Sequence, residues 1–451
     1  MQLIPMKGLS TVLGLSMMMT MTGGGGNNTQ PLVKEKKVIT HSKKEVVKNK
    51  EESLAKPEEV TLNFWHYWEG ETDVYYDVAK TIIADFEKQY PHIKINVDST
   101  EYEDYKHKIK AAAVAHESPD VFLCREGHFF KPFIEADRIL AIDKYLEDGT
   151  KDKLVGGALA HVTYDDKVYG LTFGLYCGAM FINEELFKQL NIKIPETYSE
   201  LITAVKAFKA DGITPMAVSG LDTWTIAMYF DAMALKAAGN DTIVHALSPK
   251  GNFKDPAFLS AANKFSELVS LGAFPEEAMW LSRDESLIDF LAGEIPMLFE
   301  GSWSVNTIIY RADPQLIDKV IVKGFPVFED GNGNKNQFTG GAVDALMISA
   351  DTKHKEAAVL FQKYFCENMS REAYLMGISL PTWKVDVDES TINPLTVQLK
   401  ELTSEAETFT LWWDTLLDDK GRETYYDALQ ELFLQDITPE EYIEKLESIY
   451  D

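Results

Sequence analysis

Residues 168–187, VYGLTFGLYCGAMFINEELF, decide how the rest of the chain is read. They follow a turn at 164–167 and read as a short strand, a crossing flanked by Gly174 and Gly178, a second strand at 179–182 and a helix start. Glycine on both sides of 175–177 takes up backbone angles that other residues avoid. Asn183 is set to cap the helix, with Glu184 and Glu185 in its first turn at the positive end of the dipole. A crossing in mid-chain implies two bodies, and 451 residues exceed what one core organises.

Upstream, Val60, Leu62 and Phe64 alternate as a strand. Val74, Val78, Ile82 and Phe86 then recur every four residues as one stripe of a helix that ends before Pro91. Ile93, Ile95 and Val97 alternate again. Strand, helix and strand of these lengths form a βαβ unit with parallel strands. A second helix is expected at 103–116, and a further strand begins with Val121 and Phe122. Downstream, Thr197 and Glu200 form a capping box for a helix running to Ala210, with Leu201, Val205 and Phe208 on its stripe. A strand at 295–299 leads to Trp303 at the start of a helix. Residues 320–326 are expected to carry the chain back to the first lobe. The run Asp330-Gly-Asn-Gly-Asn334 fails as a calcium loop, with Lys335 and Gly341 where Gly and Glu are needed, and reads as a turn. Gly340 and Gly341 precede an alternating strand to Ile348, a helix follows at 356–369, and Thr438 with Glu441 caps the last helix around Pro439. Each lobe is expected to carry its own sheet.

Composition bounds the function. The chain is 45% hydrophobic and 11% aromatic, as a folded globular protein is. Net charge is −27, unevenly spread: residues 1–57 hold nine Lys and four Glu, a balance of +5, which leaves −32 on the rest. Such a surface repels nucleic acid and anionic lipid. Residues 1–26 read as an export signal, with a 13-residue mostly apolar run too short to span a bilayer. Residues 27–57 read as a Lys-rich solvated tether. The three cysteines, Cys124, Cys177 and Cys366, lack metal-ligand spacing. Cys124 and Cys177 both fall near strand ends expected to face the other lobe, which leaves a bridge open, although its geometry is not readable from sequence. The nine histidines form no HExxH or HxH, and no nucleophile elbow or phosphate-binding loop occurs. No metal and no cofactor are expected.

Several stretches together resemble the sugar-binding family of extracellular solute-binding proteins of ABC transporters, relatives of maltose-binding protein. They are Tyr169-Gly170-Leu171-Thr172 with Met180-Phe181-Ile182-Asn183 and Leu186-Phe187, then Pro119-Asp120-Val121-Phe122, and Pro195 to Leu201. To these add Phe290, Gly293, Met297 and Gly301-Ser302-Trp303, the Gly340-Gly341 pair, Ala357 to Tyr364, and Thr438-Pro-Glu-Glu441. Thr172 stands where the family usually has Pro. The resemblance implies a two-lobe α/β fold of the periplasmic-binding-protein type (type II-like), with a ligand cleft between lobes joined by hinge crossings. Residues 58–175 with 324–378 would form the first lobe and 176–323 with 379–451 the second. It implies a carbohydrate ligand, the membrane permease subunits of an ABC transporter as partners, a monomer and no catalysis. The family's Gram-positive members are extracellular lipoproteins cleaved before a lipidated Cys. Here TGGGGNN stands in that place, so either the anchor Cys of a native surface lipoprotein is replaced or the chain is secreted without lipid; membrane contact is expected only through such a lipid anchor. The alternatives are a secreted glycoside hydrolase, whose carboxylate pair sequence spacing cannot reveal, and a carbohydrate-binding surface protein outside transport.

A sugar site needs flat aromatics for the C–H faces of the rings and carboxylates or amides for the hydroxyls. Ligands in open parallel sheets sit beyond the carboxyl ends of strands. The loops there nominate Trp68 and Glu69, then Glu126, Tyr176, Trp224 and Trp303. The backbone N–H groups of Gly340 and Gly341 follow, with Asp344, Trp412, Trp413 and Asp414. Each aromatic could equally belong to a core; their joint placement at strand ends carries the reading. Several rings point to an oligosaccharide rather than a monosaccharide, and Arg125 is the exception in loops otherwise poor in cations.

Overall fold

The computed structural model describes residues 58–68, 70, 74–125 and 129–450, so the leader and tether expected at 1–57 lie outside the described residues. Strand β1 (Val60–His66) pairs in parallel with β2 (Ile93–Ser99) across the helix Val74–Gln89, the expected βαβ unit. Leu62, Phe64, His66 and Trp68 are all buried, because period-two alternation sends every second side chain to the same face. The helix Tyr102–Ala115 leads to β3 (Val121–Arg125), parallel to β1. A hairpin of β4 (Thr163–Tyr164) and β5 (Lys167–Val168) turns through Asp165 and Asp166, both at positive φ. Two such residues are the mark of a turn whose twist matches that of the strands.

The crossing is then one strand rather than two short ones: β6 (Gly170–Asn183) is 14 residues long and almost wholly buried. Strands β7 (Met216–Ala217), β8 (Met297–Gly301) and β9 (Val320–Lys323) follow, then β10 (Gln337–Ile348) and β11 (Thr408–Thr410). Beginning at Gly170, β6 pairs with β10, and its end at Gly178–Ile182 pairs with β8. In turn β10 pairs with β3 through Asp344–Ile348 and with β11 through Gln337–Thr339. The expectation of a separate sheet in each lobe is therefore corrected. The hydrogen-bonded ladder runs β2-β1-β3-β10-β6-β8-β7 without a break. Both crossings are themselves strands, and they satisfy their buried backbone groups on one another.

Burial still divides the molecule. One core gathers Leu62, Phe64, Leu123, Leu171 and Phe173 with Ala345–Ile348 and the helix Lys355–Leu375. Beyond Gly174, alternation splits β6: Met180 and Ile182 enter one core, Cys177, Ala179 and Phe181 the other, on the opposite face of the sheet. Helices Tyr198–Ala210, Trp224–Ala238, Pro256–Ser270 and Asp419–Phe433 cover the first of these faces. The helices Ser304–Arg311 and Pro394–Thr403 cover the second. The return at 320–326 is also corrected. There β9 pairs with Met180–Asn183, and Phe325 and Phe328 pack into the second-lobe core, so 324–343 stays with that lobe. The chain recrosses within β10, where Phe338 belongs to a second-lobe core and Ala345 to the first-lobe core. The fold class expected from sequence, two α/β lobes joined by crossings, is the one observed.

Local capping follows the sequence. Thr197 accepts from Glu200 N–H, but the Glu200 carboxylate accepts from Glu196 N–H instead of Thr197 N–H, so the expected box there is only half made; the Thr438–Glu441 box is complete with Pro439 in the first turn. All three cysteines are buried free thiols, so Cys124 and Cys177 are not bridged.

Candidate functional site

A cavity of about 1020 Å³ opens between the two lobes. Three helices each give it one stripe. Trp224, Ala227, Met228 and Asp231 follow the i, i+3, i+4, i+7 pattern on Trp224–Ala238. Tyr102, Tyr105, Lys106 and Lys110, at i, i+3, i+4 and i+8, form another stripe across the cavity, on Tyr102–Ala115. Asp419, Arg422 and Tyr426 come from the first two turns of Asp419–Phe433. Tyr67, Phe129, Arg283, Trp303, Trp412 and Asp414 complete the polar and aromatic lining.

Trp303 is the centre of the aromatic wall. Its ring lies 6.1 Å from Trp224, 5.5 Å from Trp412 and 5.9 Å from Tyr176, at interplanar angles of 57–61°. It stands just before the helix Ser304–Arg311, as its sequence position predicts. A Cβ on Gly301 would overlap the Trp303 indole, so the Gly-Ser-Trp order lets the ring fold back over its own strand end. Trp412 lines the cavity, and its buried indole N–H has no hydrogen-bond partner among the described residues. Opposite, Tyr67 packs edge-on to Tyr102 at 4.9 Å and Tyr105 at 5.6 Å.

The polar groups are held from behind. Asp414 accepts from Tyr426 hydroxyl at 2.9 Å. Asp231 accepts from Tyr425 hydroxyl at 2.6 Å and Trp413 N–H at 3.0 Å. Burial raises the Asp231 carboxyl well above the usual range, against the pull of those two donors. Arg283 pairs with both oxygens of Glu300, and its guanidinium lies 6.0 Å from the Trp224 ring centre. Lys106 and Lys110 sit 4.7 Å and 5.4 Å from the rings of Tyr102 and Phe129. Among the described residues no cluster of three or more His, Cys, Asp or Glu is disposed to hold a metal.

Of the residues nominated from sequence, Trp224, Trp303, Trp412 and Asp414 line the cavity. Tyr176 and Asp344 lie behind it: the Tyr176 hydroxyl is 2.5 Å from that of Tyr75 and 3.2 Å from Asp344, which also accepts from Tyr67 at 3.2 Å. Trp68 and Trp413 do not reach the cavity. Trp68 stacks on Tyr75 and Phe365, and Trp413 is packed by Phe230, Phe253 and Tyr425. Gly340 and Gly341 are buried in the β10–β6 ladder, where a Cβ on Gly340 would overlap the Tyr176 carbonyl oxygen. Close strand contact, not ligand access, requires glycine there. Glu69 and Glu126 lie outside the described residues, and so does the Arg125 side chain.

Tyr67, Tyr102, Asp231, Arg283 and Tyr426 were not nominated. The signal for Tyr67 was present: the β1 alternation carried on to residue 68 puts Trp68 inward and Tyr67 on the other face. The helix residues carry no such signal, because the strand-end rule points to loops and leaves helix faces out. The same holds for the cations: Lys106, Lys110, Arg283 and Arg422 line the cavity beside four aspartates.

Residues 70–368, more than half of the chain, match the family described as bacterial extracellular solute-binding protein. A multiple sugar-binding protein of Streptococcus mutans is 26% identical over 357 residues, 76% of this chain and 80% of that protein. A structure from work on xylan utilisation by Caldanaerobius polysaccharolyticus is 38% identical with a TM-score of 0.78, covering 87% of this chain and all of that one. A chitin oligosaccharide binding protein is 25% identical with a TM-score of 0.75, covering 87% of this chain and 98% of the other. Two lobes joined by strand crossings, with an aromatic cavity between them, are what that match anticipates, and the chain belongs to the bacterial extracellular solute-binding protein family.

Proposed function

We propose that this protein captures an oligosaccharide outside the cell and delivers it to the permease subunits of an ABC transporter, closing its lobes over the ligand without altering it. The observation that carries the reading is the run of Trp224, Trp303 and Trp412 facing Tyr67 and Tyr102 across one cavity. Flat rings on both walls suit the C–H faces of sugars, and Asp414 with its neighbours suits hydroxyls. A volume of about 1020 Å³ is at the top of the range for small-molecule sites, roughly 300–1000 Å³, which favours two or more sugar rings over one. The hinge would be the paired segments where β6 and β10 pass from one core to the other, since a strand pair bends while both lobes stay rigid. Trp224, Trp303 and Trp412 would stack on the ligand, and Tyr176 and Asp344 would support the site from the hinge. The protein would act as a monomer at the cell surface. Relatives named for sugar and chitin oligosaccharide binding support the ligand class.

The test is a thermal-shift screen against mono- and oligosaccharides, followed by product analysis. A ligand that binds only the folded state stabilises it by about 2.7 kcal/mol at a hundredfold excess over Kd. The expected result is a rise in Tm with an oligosaccharide that is recovered intact. No shift across the panel, or time-dependent cleavage by pure protein, overturns the reading.

A further inference from the structure

The Arg283–Glu300 pair sits where the cavity wall meets the second-lobe core. Glu300 is on β8 and only 2% exposed, so its charge must be paired within the protein. Arg283 meets it with Nε and Nη2, the two-point geometry that fixes a guanidinium most firmly. Ser304 hydroxyl also donates to Glu300, and the Asp222 carboxylate holds the Arg283 backbone N–H at 2.7 Å. Nη2 also reaches Ser304 Oγ at 3.4 Å, and the remaining nitrogen, Nη1, makes an ion pair without a hydrogen bond to Asp284 Oδ1 at 3.9 Å. Arg283 is 22% exposed, lines the cavity and lies over Trp224.

We infer that Arg283 is a specificity-determining donor for uncharged sugars, and that Glu300 is the positioning residue that both aims it and cancels its charge. This rests on the sugar-binding reading above. A guanidinium compensated from behind offers N–H donors to hydroxyl and ring oxygens beside the Trp224 ring without a net positive field. A ligand carboxylate there would gain little from a cation already neutralised and would lie close to the Glu300 charge. The pair therefore selects neutral oligosaccharides over those bearing a uronic acid.

The test measures the affinities of neutral tri- and tetrasaccharides of xylose, glucose and galactose, and of the same chains bearing one uronic acid. Proteins compared are the unaltered chain, Glu300→Gln, and the double variant Arg283→Gln with Glu300→Gln. The unaltered protein should prefer its neutral ligand to the acidic counterpart by at least tenfold. Glu300→Gln removes the nearer of the two carboxylates paired with Arg283, Asp284 being shared with Arg311, and should shift that ratio at least tenfold toward the acidic sugar, an effect that weakens as salt is raised. The double variant removes both charges and the Arg283 donors; it should lose about tenfold for the neutral sugar and gain nothing for the acidic one. A packing role alone would lower both affinities together. An unchanged neutral-to-acidic ratio in either folded variant overturns the inference, as does an unaltered protein that prefers the acidic sugar. If the unaltered protein binds no sugar at all, the functional reading itself has failed, and the inference with it.

Discussion

Two tryptophans of similar sequence context have opposite environments. Trp303 is partly exposed at the cavity and surrounded by other cavity rings, whereas Trp413 is 1% exposed among Phe230, Phe253, Phe258 and Tyr425. Trp303→Ala should cost about 2 kcal/mol or more of ligand binding, as aromatic anchors commonly do. That is roughly thirtyfold in Kd, with a smaller loss of stability. Trp413→Ala should do the reverse, losing about 3–5 kcal/mol of stability to a core cavity while a folded fraction keeps its affinity. Calorimetric titration and urea unfolding of both variants check the contrast. Equal effects on affinity would remove Trp303 from the site. Sequence showed that both residues are aromatic at a chain turn; it did not show which face each ring takes, because side-chain direction at a helix start depends on what packs against it.

Among the elements, the loop after Phe328 is fixed by the end of the helix Trp224–Ala238. Asn332 and Gly333 N–H groups donate to the carbonyls of Ala237 and Lys236 there. Lys236 is 2% exposed and donates to the carbonyls of Asn334 at 2.8 Å and Gln337 at 2.6 Å. The run that resembles a calcium loop thus serves as a helix cap, with two of the carbonyls in and just after it held by a lysine. Burial lowers the Lys236 ammonium to about 7. In the unfolded chain it returns to about 10.4. Between those values the unfolded state binds more protons, so this residue's contribution to stability rises with pH, by at most about 1.4 kcal/mol per unit, and is lost as pH falls toward 7. Urea unfolding at pH 7 and pH 9 should therefore show the natural chain gaining on Lys236→Met at the higher pH. A constant difference would mean that the ammonium keeps its ordinary affinity for protons.

At the scale of the whole molecule, the lobes are joined by the strand crossings and by the segment near Leu380, which bridges to Leu175. Closure over a ligand should reduce the radius of gyration, and solution scattering with and without a binding oligosaccharide measures it. An unchanged profile at saturation would argue for a preformed closed site. Residues 1–26 read as an export signal and 27–57 as a Lys-rich tether, so removing both should leave Tm unchanged within error. A large drop would show that they contribute to the fold.

The local order was legible in sequence. The βαβ unit, the N-cap at Thr197, the capping box at Thr438, the crossing at 168–187 and the position of Trp303 before its helix all follow from periodicity and capping chemistry, which act over a few residues. So did the two-lobe class, through length and the order of short segments. Tertiary structure decided what depends on distant partners. It merged the two crossings into one ladder, because β6 and β10 satisfy their buried backbone groups on one another. It kept 320–326 in the second lobe, because β9 found Met180–Asn183. It turned Trp68 and Trp413 inward and brought Tyr67, Tyr102 and Arg283 to the cavity. A binding site is made of residues far apart in the chain, and neither their spacing nor their type records which of them face one another across it.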